Sequence, residues 1–296
     1  MDLKVFIEEI EKQKLNVEGI VVLKGSMEPV CHRWKPEQRR TIYSVSKSFL
    51  SIAVGMAIDE GKLRLSDRLC QAFPREIISG EPEESAARWE AVSLEHLLTM
   101  TIGHPEFSRP RSVSQAMGYR LTRDPGSYFF YDNTCSLLAS AMLTKATGQK
   151  AKDYLLDRLF RPLGISDPEW EESDDGHTIG VTGLVLNTSE MALFGRFLLQ
   201  RGSWEGKQLV SSAWIEMATR TQVPTRPSQK LADYDLGYGY QFWTCRHGAY
   251  RCDGRDGQFI IVFPAFEAVV AINSSEENME PILWAVWDCI LPELRL

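Results

Sequence analysis

The chain lacks any run of the roughly 20 apolar residues that a membrane-spanning helix requires. Its longest candidate, Phe49 to Ile58, is interrupted by Ser51 and Gly55. It also lacks a basic excess. Lys and Arg number 33 against 40 Asp and Glu, a formal charge of -7, so no cationic surface is offered to phosphate backbones and neither nucleic acid nor membrane is an expected partner. The first residues, Met1-Asp2-Leu3-Lys4-Val5-Phe6-Ile7-Glu8-Glu9, have neither the basic start nor the immediate apolar run of a secretory signal. They read as an acidic amphipathic helix, and the expected compartment is the cytoplasm. The six cysteines, Cys31, Cys70, Cys135, Cys245, Cys252 and Cys289, show no C-x-x-C spacing, which suits reduced thiols. Cys245, His247 and Cys252 lie close together, but the second ligand pair of a structural zinc site is missing. No metal or organic cofactor is expected. No Gly/Ser linker and no internal repeat divides the chain.

What is present is a globular composition, 44% apolar and 25% charged over 296 residues, enough for one large core or two smaller ones. The ends read as sheet. Gly19 to Lys24 and Val30 to Trp34 predict a hairpin near the start; Gly248 to Cys252, Gln258 to Phe263 and Glu267 to Ile272 predict three strands near the end. A closing helix is predicted over Met279 to Leu294. Between them, helical period and caps mark Ser44 to Gly61, Ser93 to Met100, Thr134 to Thr147, Ala151 to Phe160 and Ser189 to Arg201. Strands from both termini must share one antiparallel sheet. The expectation is a single α+β unit in which 1–62 and 203–296 form an α/β lobe and 63–202 a mainly helical one, with a cleft between.

The sharpest local pattern is Tyr43-Ser44-Val45-Ser46-Lys47-Ser48-Phe49. Ser-x-x-Lys alone arises by chance about once in a chain of this length. Its placement says more. In a helix starting at Ser44, residues Ser44, Lys47, Ser48, Ser51 and Gly55 share one face. One lysine in a stripe of small residues predicts a covered surface, and burial disfavours the ammonium. A neutral Lys47 can take the proton of Ser44, while the Ser44 N–H, free in the first turn, can face an oxyanion. Read alone, the same residues also fit a helix cap followed by an exposed charge.

Downstream, Tyr131-Asp132-Asn133 follows a Pro125-Gly126 turn, and Cys252-Asp253-Gly254-Arg255 lies in a glycine-punctuated strand pair. In this order the three elements resemble the class C β-lactamase-like serine hydrolases, which include D,D-peptidases, esterases and nylon-oligomer hydrolases. The resemblance implies the β-lactamase/transpeptidase-like fold and an acyl-enzyme mechanism on a small ester or amide. It makes Ser44 the nucleophile, Lys47 its base partner, Tyr131 the proton relay with a phenol pKa lowered by the lysine, and Asn133 the anchor of Lys47 and the substrate. Either Lys47 or Tyr131 removes the serine proton, and the sequence leaves both open. Gly254 would let substrate lie against the strand, with the Arg255 N–H aimed at the oxyanion.

Where many relatives carry a cation that grips a substrate carboxylate, this chain has Asp253. An anion there repels penicillins and D-alanyl peptides, which favours an esterase or amidase. Arg251, on the face of Asp253 by the two-residue period, either pairs with it or, like Arg255, replaces the missing cation. A β-lactamase or D,D-peptidase using such an arginine, and an inactive binding protein of the same fold, are the alternatives. His104 reads as a loop residue near the cleft mouth, Asp174 and Asp175 as a solvated loop beside Gly180-Val181-Thr182-Gly183, and Tyr238 and Trp243 as an apolar wall or core. Gly257 serves the hairpin bend.

Overall fold

A computed structural model describes residues 1–73, 83–225 and 233–296. Strands β1 (Val17–Lys24) and β2 (Val30–Arg33) come from the start of the chain. Strands β3 (Trp243–Thr244), β4 (Tyr250–Gly254), β5 (Gln258–Phe263) and β6 (Ala268–Ser274) come from its end. They form one antiparallel sheet in the order β2-β1-β6-β5-β4-β3. The termini meet where Ile20 pairs with Ile272 and Val22 with Val270. Strand β4 starts later than predicted because Arg246–Gly248 forms a tight turn with His247 at φ 60°.

The helices that position the site are α1 (Lys4–Gln13), α2 (Ser46–Asp59), α3 (Leu94–Leu98), α4 (Asn133–Thr147), α5 (Thr188–Leu199), α6 (Ser212–Thr219) and α7 (Glu280–Ala285). Alternation along the strands sends Ile20, Val22, Ile261 and Ile272 into a core under Phe6, Leu283 and Trp287. Val21, Leu23, Ile260 and Val269 go into the larger core with Phe49 and Phe194. Both faces are covered, which is why the strands read as nearly continuous apolar runs. The sequence grouped 63–202 with the helical lobe, but α5 lies on the sheet: a Cβ added at Gly195 would stand 2.3 Å from Val269. The closing helix widens into a π turn over Val286–Ile290 before Leu291–Leu294 completes it.

Helix α2 is buried from Ser46 to Ala57. On its apolar flank Phe49 stacks on Phe194 at 3.7 Å between ring centres. Its small-residue stripe is covered as the pattern implied: Ser48 Oγ donates to the Gln241 carbonyl at 2.8 Å, and Gly55 sits beneath the Trp214 ring. The helix begins two residues later than expected. Tyr43 has φ 47°, a left-handed conformation that an α-helix cannot absorb, so Tyr43–Val45 forms a separate 3₁₀ turn.

A Cβ at Gly55 would lie 2.2 Å from Trp214 Cδ1. Overpacking of this kind costs about 1–3 kcal/mol, which outweighs the roughly 1 kcal/mol of helix propensity that alanine adds. Gly55→Ala is therefore expected to lower the urea midpoint of unfolding. An unchanged or higher midpoint would show that Trp214 moves aside freely.

Candidate active site

Ser44 is held in the turn between Ile42, whose N–H donates to the Leu184 carbonyl at 2.9 Å, and the start of α2. The left-handed Tyr43 before it carries backbone strain of about 1–3 kcal/mol. The buried Ile42 and the Arg255 guanidinium 4.5 Å over the Tyr43 ring hold it in place. Ser44 itself stays half-exposed.

One helical turn on, Lys47 is 1% exposed. Its Nζ lies 2.9 Å from Ser44 Oγ, 2.9 Å from Asn133 Oδ1 and 3.0 Å from the Val181 carbonyl. Asn133 Oδ1 and the Val181 oxygen can only accept. A neutral amine satisfies all three contacts by donating twice and turning its lone pair to the Ser44 O–H. Burial pushes the Lys47 pKa down to about 7, against the pull of nearby negative charge at Asp132 and Asp253. Cys135 adds no charge, because its own burial keeps the thiol protonated.

Tyr131 enters from the extended segment before α4. Its ring stacks on Trp243 at 5.4 Å and lies 5.1 Å from Lys47 Nζ, and its hydroxyl hydrogen-bonds with Ser44. The expectation of a lowered phenol pKa is overturned. Burial raises it, and the Ser44 hydrogen bond and the Arg251 charge do not offset that cost. Tyr238 and Trp243 pack on this ring, and Phe129 packs on both of them, so Tyr238 and Trp243 serve as core and as wall together.

Asp132, between Tyr131 and Asn133, is a residue the sequence reading passed over. Its carboxylate is buried and stays ionised because hydrogen bonds from His104, Ser108 and Thr134 outweigh desolvation. The Ser108 N–H and hydroxyl donate at 2.9 and 2.6 Å, and His104 Nδ1 lies at 3.3 Å. His104 is thus no loop bystander: it is buried and stacked on Tyr119 at 4.9 Å. The available signal was an Asp at a helix N-cap that does not cap its own helix, a role that becomes visible only in three dimensions. Helix α4 begins at Asn133, so Asn133 is in the first turn and not the cap. Gln241 was also missed. Its side chain ties α4 to α3 through Ser136 Oγ and the Leu97 and Leu98 carbonyls. Asp174 and Asp175 are exposed but tied, to Arg111 and to the Val113 N–H.

On β4, of the two roles open to Arg251, the structure adopts pairing. Its Nε lies 2.7 Å from Asp253 Oδ2 with both groups buried, and Nη1 donates to the Asp233 carbonyl at 2.9 Å. Burial pushes the Asp253 carboxyl up, and Arg251 works against that shift. Arg255 stays 60% exposed at the rim. Gly254 has no room for a side chain: a Cβ would lie 2.4 Å from the Ile42 carbonyl, so the end of β4 is seated on the turn that carries Ser44. Gly257, at φ +81°, turns the hairpin. Cys252 and Cys245 belong to cores on opposite sides of the sheet. Among the described residues no group of three His, Cys, Asp or Glu is placed to hold a metal, and no helix is long and apolar enough to cross a membrane.

The family model described as Beta-lactamase matches residues 21–283. The 6-aminohexanoate-dimer hydrolase of Paenarthrobacter ureafaciens is 22% identical over 90% of this chain and 74% of its own length. A beta-lactamase of Escherichia coli K12 is 26% identical over 53% of this chain. The chain spans 44% of that protein and 29% of the Staphylococcus aureus protein flp, less than half of either. Among solved structures, the octameric penicillin-binding protein homologue from Pyrococcus abyssi superposes with a TM-score of 0.77 at 18% identity, covering 100% of this chain and 78% of that one. A beta-lactamase from Mycobacterium bovis superposes with a TM-score of 0.72 at 20% identity, covering 98% and 100%. Since the family model runs through nearly all of the sheet and the whole helical insertion, this chain belongs to the beta-lactamase family.

Proposed function

We propose that the protein is a serine hydrolase that cleaves an ester or amide of a small acyl substrate through a covalent acyl-Ser44 intermediate. The observation that carries this reading is the 2.9 Å contact between Ser44 Oγ and a buried Lys47 amine with a pKa near 7. Lys47 accepts the Ser44 proton as Oγ attacks the substrate carbonyl. The Ser44 and Arg255 N–H groups receive the oxyanion, supported by the seating of Gly254 on Ile42. Tyr131, a neutral phenol beside Ser44, gives its proton to the departing alcohol or amine and is reprotonated from the Lys47 ammonium. Asn133 Oδ1 holds the amine in line. Water then attacks the acyl-enzyme, losing its proton by the same route in reverse, and Ser44 leaves as the free hydroxyl. The raised phenol pKa favours Lys47 over Tyr131 as the first base.

The buried Arg251–Asp253 pair supports a substrate without a carboxylate next to the scissile bond, since the guanidinium nearest the strand is already engaged. The exposed Arg255 over Tyr43 supports a second reading, a β-lactamase or D,D-peptidase in which that arginine holds a carboxylate. Turnover of a chromogenic cephalosporin that falls with Arg255→Gln would select it.

Intact-mass measurement after fluorophosphonate treatment should show one adduct on the wild type and none on Ser44→Ala; an adduct on the variant would move the nucleophile elsewhere. Lys47→Ala is expected to reduce p-nitrophenyl ester hydrolysis by about two to four powers of ten, the range for a positioned acid–base group. The acid limb of kcat/KM should fall near pH 7, with activity rising as Lys47 loses its proton. Asp132→Asn removes an anion that favours the ammonium, so the limb should move to lower pH. A limb unmoved in that variant would detach Asp132 from Lys47.

A further inference from the structure

At the end of β4 remote from Gly254 lies a cavity of about 810 Å³, within the roughly 300–1,000 Å³ typical of small-molecule sites. Its apolar lining comes from Leu23 of β1, Leu198 and Leu199 at the end of α5, Ile215 of α6, and Tyr250. Three guanidiniums and two carboxylates also line it. Arg201 is engaged by Glu216 at 2.7 Å. Arg196, half-buried in the last turn of α5, and Arg220, exposed just beyond α6, line the cavity with side chains that have no ion pair or hydrogen bond among the described residues. The remaining carboxylate, Glu267, stands in the β5–β6 turn beside Gly25. Basic residues at helix ends often only complement the helix dipole. Here the last carbonyls of α5 are already capped, by the N–H groups of Gln200, Arg201 and Gly202, so that capping does not use the Arg196 guanidinium.

We propose that this cavity binds an amphiphilic monoanion of the alkyl carboxylate class. The chain would lie over Leu23, Leu198 and Ile215, and the head group would be held by Arg196 and Arg220, whose planar donors suit a carboxylate. None of these residues belongs to the Ser44 site, so the inference stands apart from the proposed hydrolysis. The test is isothermal titration calorimetry of the full chain with decanoate and with uncharged decanol, both below their aggregation concentrations, on the wild type and on the double variant Arg196→Gln/Arg220→Gln. Expected are one decanoate per chain, bound about tenfold or more tightly than decanol, the effect of a charge-assisted hydrogen bond. The double variant should lose that preference with unchanged ester hydrolysis. Absence of decanoate binding, equal affinity for the alcohol, or an undiminished preference in the double variant would each overturn the proposal.

Discussion

An amine kept out of water is the constraint around which this site is arranged. Burying Lys47 between the first turn of α2 and the start of α4 strips an ammonium of its hydration, leaving it three neutral acceptors, Ser44 Oγ, Asn133 Oδ1 and the Val181 carbonyl. Desolvation brings its pKa down to about 7, so the free base is accessible near neutrality. That state leaves one lone pair, and Ser44 Oγ lies 2.9 Å from the nitrogen. The small side chains of α2 allow other segments to close over the lysine. The buried Asp132, tied by Ser108 and His104, sets how far the pKa falls. In the proposed chemistry these groups tune one equilibrium, the protonation of a single nitrogen near neutrality.

A second buried charge balance lies on the strand beside Ser44. Arg251 and Asp253 meet inside the strand pair, and Tyr234 packs its ring 4.5 Å from the guanidinium. A buried ion pair adds little net stability. In the proposed chemistry it leaves an internally neutralised unit on the strand beside the site. Arg255, one strand position past Gly254, is left as the solvent-facing positive charge at the rim. Acyl preference, on this reading, follows from which arginine is buried in its pair and which, Arg255, is exposed with only the neighbouring Asp256 at 3.5 Å.

Much of this was legible in local pattern. The strands at both ends announced a shared sheet through their β-branched runs. Most of the longer helices were visible from their period, though α6, which brings Trp214 over Gly55, was not, and the stripe Ser44, Lys47, Ser48, Ser51, Gly55 announced a covered face because a solvated helix face normally carries several long charged side chains. Other features were hidden for physical reasons. The 3₁₀ turn at Tyr43–Val45 depends on a left-handed tyrosine that no propensity signals. The direction of the Tyr131 shift depends on how deeply the ring is buried, which is a sum over neighbours such as Trp243 and Tyr238, more than 100 residues away in the chain.

The sequence by itself determined which groups were available and in what order: a serine and a lysine one helical turn apart, a Tyr-Asp-Asn segment opening a later helix, and an Arg-Cys-Asp-Gly run late in the chain. Periodicity and chain order carry that information, because they act through the nearest few residues. Only the tertiary structure decided the titration behaviour and pairings, namely Lys47 with its pKa brought down to about 7, Tyr131 held as a phenol, Asp132 as an anion and Arg251 committed to Asp253. Those outcomes depend on solvent exclusion and on Coulomb interactions between segments distant in sequence, and neither exists until the chain has closed on itself.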